Sequence, residues 1–225
     1  MITPSPGAGV SLPLSTRRRS GLPLLGVVTL LGAGAVAASP ASAQVGVQVG
    51  LVVSSNLVSD SIVDRFSVRA NPALALGVTG ETRLDRYRVG AALTVSRSDL
   101  IGREPQGEFT VTRLTIWHPS VYLRQPLRPW LSGEARLGLM IYSPSVRAGT
   151  LFRDGTPVHP AVGLGLRVER RLGQALALGF AGHYDLHRFS TPRLRAEGFT
   201  GQTYVHRVSA LFSLRRIPVG ERATP

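Results

Sequence analysis

From Gln44 onward, apolar and polar residues alternate with a period of two in one segment after another. Val45, Val47, Val49, Leu51 and Val53 alternate with Gln44, Gly46, Gln48 and Gly50, which puts the apolar set on one face of a strand. Leu74, Leu76 and Val78 alternate with Ala73, Ala75, Gly77 and Thr79. After a tight turn at Asp85-Arg86 the pattern resumes with Tyr87, Val89, Ala91, Leu93 and Val95 against Arg88, Gly90, Ala92 and Thr94, so this pair reads as a hairpin. The fourth strand is the least regular. Leu114 and Ile116 are assigned to its apolar outer face, and Pro119 implies a bulge or an edge-like irregularity. The fifth strand sets Leu131, Gly133, Ala135, Leu137, Leu139 and Ile141 against Ser132, Glu134, Arg136 and Gly138. The sixth sets Val162, Leu164, Leu166 and Val168 against Ala161, Gly163, Gly165, Arg167 and Glu169. The seventh sets Leu176, Leu178, Phe180 and Tyr184 against Ala175, Ala177, Gly179, Ala181, His183 and Asp185. The eighth sets Tyr204, Val208, Ala210, Phe212 and Leu214 against Val205, Arg207, Ser209 and Ser213.

The connections alternate in length. Those at Asp85, at Gln125 to Arg128 and at Leu172 to Gln174 are short, whereas Asn56 to Asn71, Ser98 to Glu108, Ser143 to Thr156 and Arg188 to Gln202 are long and rich in turn formers and charge. Short turns on one rim and long loops on the other is the layout of a transmembrane barrel, and strands of about ten residues match a tilted bilayer span.

The segment before Gln44 reads as an export signal. Arg17, Arg18 and Arg19 supply a positive start, Leu22 to Ala38 form a nearly unbroken apolar run, and Ala41-Ser42-Ala43 offers a small-x-small cleavage pattern. The adjacent arginines also fit a twin-arginine signal, although no cofactor motif demands export in the folded state. The expected organisation is therefore a signal peptide over 1–43, one barrel domain over 44–216 and a short periplasmic tail over 217–225. After the signal no run approaches the 18 or so apolar residues of a transmembrane helix, so a membrane location has to come from strands.

Composition narrows the chemistry. The chain has no cysteine, which removes thiolate chemistry and cysteine metal sites. Its formal net charge is +13, carried by arginine alone because lysine is absent. Such a balance can indicate nucleic-acid binding, but an exported chain does not meet nucleic acid as its usual partner. A soluble lipocalin-like barrel would alternate too. Here, however, the polar face mixes glycine and alanine with arginine and glutamate, as a narrow lumen needs if it is to hold long side chains. Trp117, Tyr122, Trp130, Tyr142, Tyr184 and Tyr204 fall towards strand ends, as interfacial girdles would.

Signal, eight alternating strands and alternating loop lengths together resemble the small outer-membrane barrels of the OmpA transmembrane domain and OmpX type. The stretch Arg207 to Leu214 is similar to the assembly signal of such proteins, with Ser209 in place of the usual glycine. The resemblance implies an all-β fold, an eight-stranded antiparallel up-and-down transmembrane barrel in a bacterial outer membrane. It also implies help from the outer-membrane insertion machinery, contact with outer-membrane lipids and lipopolysaccharide, and a monomeric state. It transfers no catalytic or ligand residue.

Function is read as non-enzymatic, in envelope structure or surface interaction. An eight-stranded interior is just wide enough to be filled by side chains. Glu81, Arg83, Arg88, Glu134, Arg136, Arg167, Glu169, Asp185 and Arg207 are expected to form a paired charge network there, since buried charges without partners are severely costly. Arg170, Arg171, Arg215 and Arg216, with Arg86, Arg124 and Arg128, are expected to form a positive collar on the short-turn rim in contact with lipid headgroups. His183, Asp185 and His187 share a face. At about 3.3 Å per residue, though, the two histidines stand some 13 Å apart, too far to share a metal held at about 2 Å by each. No metal or cofactor is expected. The enzymatic alternative is a barrel-fold lipid A deacylase, which His118-Pro119-Ser120 resembles in spacing, with His118 and Ser120 expected to face the lipid.

Overall fold

A computed structural model describes residues 44–60, 66–145, 151–152, 156–173, 175–196 and 203–217. The expected signal peptide and residues 218–225 of the expected tail lie outside these. The strands are β1 (Gln44–Ser54), β2 (Asn56–Asp60), β3 (Phe66–Ala70), β4 (Ala73–Leu84), β5 (Tyr87–Glu104), β6 (Gly107–Arg128), β7 (Leu131–Pro144), β8 (Val158–Leu172), β9 (Leu176–Phe189) and β10 (Thr203–Arg216). A short helix, α1 (Pro192–Ala196), precedes β10. Its start is built from Thr191, whose hydroxyl accepts from Leu194 N at 3.2 Å, and from Pro192 in the first turn.

β1 pairs with β4 on one side and with β10 on the other; β4 pairs with β5, and each strand from β5 to β10 pairs with the next. Every pairing is antiparallel, so eight strands close a ring. β2 and β3 form an additional hairpin beyond the ends of β1 and β4, with β3 laid against the upper part of β5. The β4–β5 turn is the two-residue connection at Asp85-Arg86, with Asp85 at φ 54°, the positive backbone angle that short hairpin turns use.

The wall and the lumen invert the usual distribution of polarity. Leu74 is 68% exposed and Leu164 67%, whereas Arg207 is 2% exposed. In a soluble barrel the leucines would point in and the arginine out, so this pattern selects a lipid-facing wall. Among the described residues no helix is long and apolar enough to cross a membrane, and the strands do the crossing. On β10 the outward residues between His206 and Arg216 are Val208, Ala210, Phe212 and Leu214. Those two polar boundaries are ten residues apart. At about 3.3 Å per residue and a tilt of about 40° this corresponds to roughly 25 Å of height, the apolar band expected of such barrels. The β1–β10 closure is tight. A Cβ at Gly50 would stand 1.9 Å from the carbonyl oxygen of Ala210, so only glycine lets the two backbones approach this closely.

Several expectations are corrected. Ser98 to Glu108 is not a loop: β5 and β6 run through it and leave Pro105-Gln106 as the turn. Pro119 causes no bulge, because the β6–β7 register is the same at Trp117↔Ile141 and at Ser120↔Gly138. The irregularities lie elsewhere on this strand: opposite Leu100 and Ile101, where Val111 is left out of the pairing with β5, and between Pro126 and Arg128, where Leu127 is left out of the pairing with β7. Leu114 and Ile116 face inward and are buried, and Trp117, Val121 and Leu123 are the outward residues of β6. Ile217, read as the start of the tail, is buried and donates its backbone N–H to Ala175 at 2.8 Å.

At the loop end the lumen is mainly apolar, with His187 buried against the cluster and hydrogen-bonded to the Tyr142 hydroxyl. Leu57 and Val58 of β2, Val68 of β3, Leu100, Leu114, Met140, Tyr142, Phe189 and Val205 pack there, together with Leu151, Phe152 and Leu194 from the connections. Phe189 contacts both Tyr142 and Phe152 edge to face.

Candidate functional site

The interior positions that alternate with the lipid-facing leucines converge on the axis, and in the lower half of the barrel they carry charge. Glu81 on β4 is the first centre. Arg124 of β6 approaches it at 2.6 Å, Arg215 of β10 at 2.8 Å and Arg88 of β5 at 2.9 Å, while the Tyr122 hydroxyl donates to it at 3.0 Å. Arg88 also donates to the Gln44 side chain at 2.9 Å. Glu134 on β7 is the second centre. Arg136 donates to it at 2.7 Å and Arg124 at 3.2 Å, and His183 Nε2 lies 3.3 Å away. Arg124 bridges both carboxylates, and Arg215 reaches across to Glu169 of β8 as well. The result is one belt of ion pairs that ties β4, β5, β6, β7, β8 and β10 together. Charge-assisted hydrogen bonds of this kind are the strong ones, and every long side chain is held by at least one such partner.

Above the belt the partners become neutral. Arg207 is fully buried and donates to Ser96 Oγ at 3.1 Å and to Met140 Sδ at 3.2 Å. Within the belt Arg167, two residues before Glu169 on the same face of β8, also has a neutral partner and donates to Ser213 Oγ at 2.7 Å. Among the described residues neither has a carboxylate within ion-pairing distance. Asp185 lies 4.0 Å from His118 Nδ1. Gln48, Thr94 and Ser120 line this level with polar side-chain atoms that find no protein partner, and so does His118 Nε2. Such buried groups mark places where ordered water belongs.

Of the network residues named from sequence, Glu81, Glu134, Arg136, Arg167, Asp185 and Arg207 are buried in the lumen, and Arg88 and Glu169 are partly buried. Arg83 is not in it. It is exposed at the rim and donates to the backbone of Asp85 at 3.0 Å. Arg124 and Arg215, assigned from sequence to the headgroup collar, belong to the belt instead. Arg170, Arg171 and Arg216 are exposed on the short-turn rim. Tyr122 and Tyr142, read as girdle residues, are likewise interior, whereas Trp117, Trp130, Tyr184 and Tyr204 are exposed. Period two contained these answers, because Tyr122 and Arg124 follow Ser120 on one face, and Arg215 follows Arg207, Ser209 and Ser213.

His118 and Ser120 do share a face, but it is the lumen face, where both are 2% exposed. This removes the geometry required by the lipid A deacylase reading, in which the pair must meet the membrane. Their neighbours across β5 are Thr94 and Ala92. His183, Asp185 and His187 all point inward, and no group of three metal-ligating side chains comes together among the described residues.

No known family profile matches the sequence, and no curated protein matches it. Solved structures do. Neisserial surface protein A from Neisseria superposes with a TM-score of 0.51 at 12% identity, over 78% of this chain and 96% of that one. The outer membrane protein OprG from Pseudomonas aeruginosa gives a TM-score of 0.47 at 10% identity, over 78% and 95%. Ail, the attachment invasion locus protein of Yersinia pestis, gives 0.41 at 9%, over 78% and 98%. At 12% identity the likeness to Neisserial surface protein A speaks to fold alone, and it agrees with the closed ring. The chain is thus an eight-stranded transmembrane β-barrel with the fold of the small outer-membrane barrels.

Proposed function

We propose that the protein is a non-enzymatic barrel of a bacterial outer membrane, exported on its signal peptide. In this reading the lumen is closed and the protein acts through its surface, in envelope structure or in contacts made by its loop end. The observation that carries the reading is the filling of the lumen by two plugs of opposite character. The ion-pair belt occupies the lower half and the apolar cluster occupies the loop end, so a hydrated solute that entered one would have to be stripped of water by the other. A conducting pore keeps one polar path throughout, as in larger barrels with aqueous channels. Purified protein reconstituted in a planar bilayer should therefore give no stable conductance steps, and persistent steps would overturn the closed lumen.

The loop end offers the material for a surface role. β2, β3 and the upper parts of β5 and β6 rise as a sheet beyond the apolar band, pinned by Arg113 to Asp99 at 3.1 Å and by Arg103 to Glu108. The hydrogen bond from Arg103 holds the exposed Glu108 carboxyl below its ordinary range, so the hairpin tip keeps a charged pair in mildly acidic surroundings. Because the chain lacks cysteine, a single introduced thiol reports its side of the membrane. Gln106→Cys should react with a membrane-impermeant maleimide on intact cells, and Arg86→Cys only after the outer membrane is permeabilised. The opposite pattern would invert the topology.

A further inference from the structure

The lipid-facing wall is not uniformly filled. Across β6, β7, β8 and β9 it contains a groove of about 730 Å³. Its floor is made of small outward residues, Gly133 and Ala135 on β7 and Gly182 on β9, and its sides are leucines, among them Leu123 and Leu127 of β6 and Leu166 of β8. At its lower mouth stands Gln125, an exposed amide at the edge of an otherwise apolar wall.

The mouth opens onto the short-turn rim, and the charge there is positive. Arg128 pairs with Leu131, Leu131 pairs with Val168, and Arg170 lies two residues further along β8. Arg128 and Arg170 therefore flank the lower end of β7. Both are exposed, as is Trp130 in the turn between them. Two guanidinium groups on flexible stems can converge on one phosphate, a tryptophan in this position sits at headgroup depth, and an apolar trough with no bulky floor accepts a chain.

We propose that this groove is a binding site for an anionic phospholipid of the inner leaflet, with one acyl chain laid over Gly133, Ala135 and Gly182 and its phosphate held by Arg128 and Arg170. The inference rests on the reading of the chain as a membrane barrel and adds to it a particular lipid class at a particular place. The charge complementarity at the mouth selects phospholipid over a second barrel as occupant, because two copies meeting at this wall would bring their exposed arginines together.

The test uses the tryptophans. The chain has two, and Trp117→Phe leaves Trp130 alone beside the mouth. Reconstituted in neutral vesicles containing a small fraction of anionic phospholipid brominated on its acyl chains, Trp130 should be quenched as though that lipid were enriched roughly thirtyfold, from two basic residues at a headgroup surface. The same small fraction of brominated neutral lipid should quench only at its bulk share. Arg128→Gln with Arg170→Gln should return the anionic lipid to its bulk share. Gly133→Leu should lower quenching by filling the floor. This change is sterically open, since a Cβ there meets only Leu127, at 3.6 Å. Heat-dependent migration in detergent gels checks that each variant is folded. Quenching at the bulk share for both lipids in the parent protein overturns the site. A Gly133→Leu variant that leaves quenching unchanged and turns a dimer into a monomer in sedimentation assigns the groove to a second copy and also overturns it. No quenching by any brominated lipid would instead remove the membrane reading itself.

Discussion

Glu134→Ala lowers the unfolding free energy of the barrel by about 3–5 kcal/mol, the loss expected when one partner of a buried ion pair is deleted and its counter-charges are stranded. Glu134 is 4% exposed, accepts from Arg136 at 2.7 Å and from Arg124 at 3.2 Å, and has His183 at 3.3 Å. Its removal leaves Arg136 without a carboxylate within ion-pairing distance among the described residues, while Arg124 keeps Glu81. The penalty therefore falls chiefly on one guanidinium, which cannot shed its charge and has no bulk water beside it. Glu134→Gln keeps an acceptor and should cost less. Urea titrations in lipid vesicles, followed by tryptophan fluorescence and by gel migration, read both values. An unchanged midpoint for Glu134→Ala would mean that the belt does not hold the strands together.

Leu137→Arg should cost about 2–4 kcal/mol in the same titration, for a reason of the opposite kind. Leu137 is 61% exposed and lies on β7 between Val121 of β6 and Val162 of β8, in the middle of the apolar wall. On a water-soluble protein so exposed a position would tolerate arginine with little change. Here the solvent is hydrocarbon, and the guanidinium must snorkel towards a headgroup or thin the bilayer around it. Full tolerance at Leu137 would place this wall in water.

The faces of seven strands were legible because the stretches that revealed them stay within one environment on each side, lipid outside and small or polar residues inside. On β6 the revealing residues fall in two environments. Inside the membrane its lumen face carries Ser120, Tyr122 and Arg124, but above the membrane the same face carries Leu114 and Ile116, which help build the apolar plug. Hydrophobicity taken as the mark of the outside then assigned Leu114, and with it His118 and Ser120, to the wrong face. Arg124 and Arg215 left the arginine collar for a different reason. Arg215 and Arg216 look like a pair in sequence, yet neighbours on a strand point to opposite faces, and only Arg216 is exposed. The pairing partners of Arg215 and Arg124 were not legible, because they depend on which strands the ring makes adjacent. The shared positions of Arg128, Trp130 and Arg170 depend on the same closure.

The β1–β10 pairing joins residues near both ends of the described chain, and Arg215 carries the contact inward to Glu81 on β4 and Glu169 on β8. Most other strand neighbours in the ring are consecutive hairpins, which can form locally and early. The seam carries the largest loop-closure cost and cannot form until the last strand has been made. Until it does, Glu81 has only Arg88 and Arg124 of its three arginines, because Arg215 reaches Glu169 within the β8–β9–β10 hairpins but meets Glu81 only across the seam. Zipping the seam therefore completes the belt at the moment it completes the ring, so assembly should be all-or-none at its final step, with partly closed sheets short-lived and readily cleared by proteases.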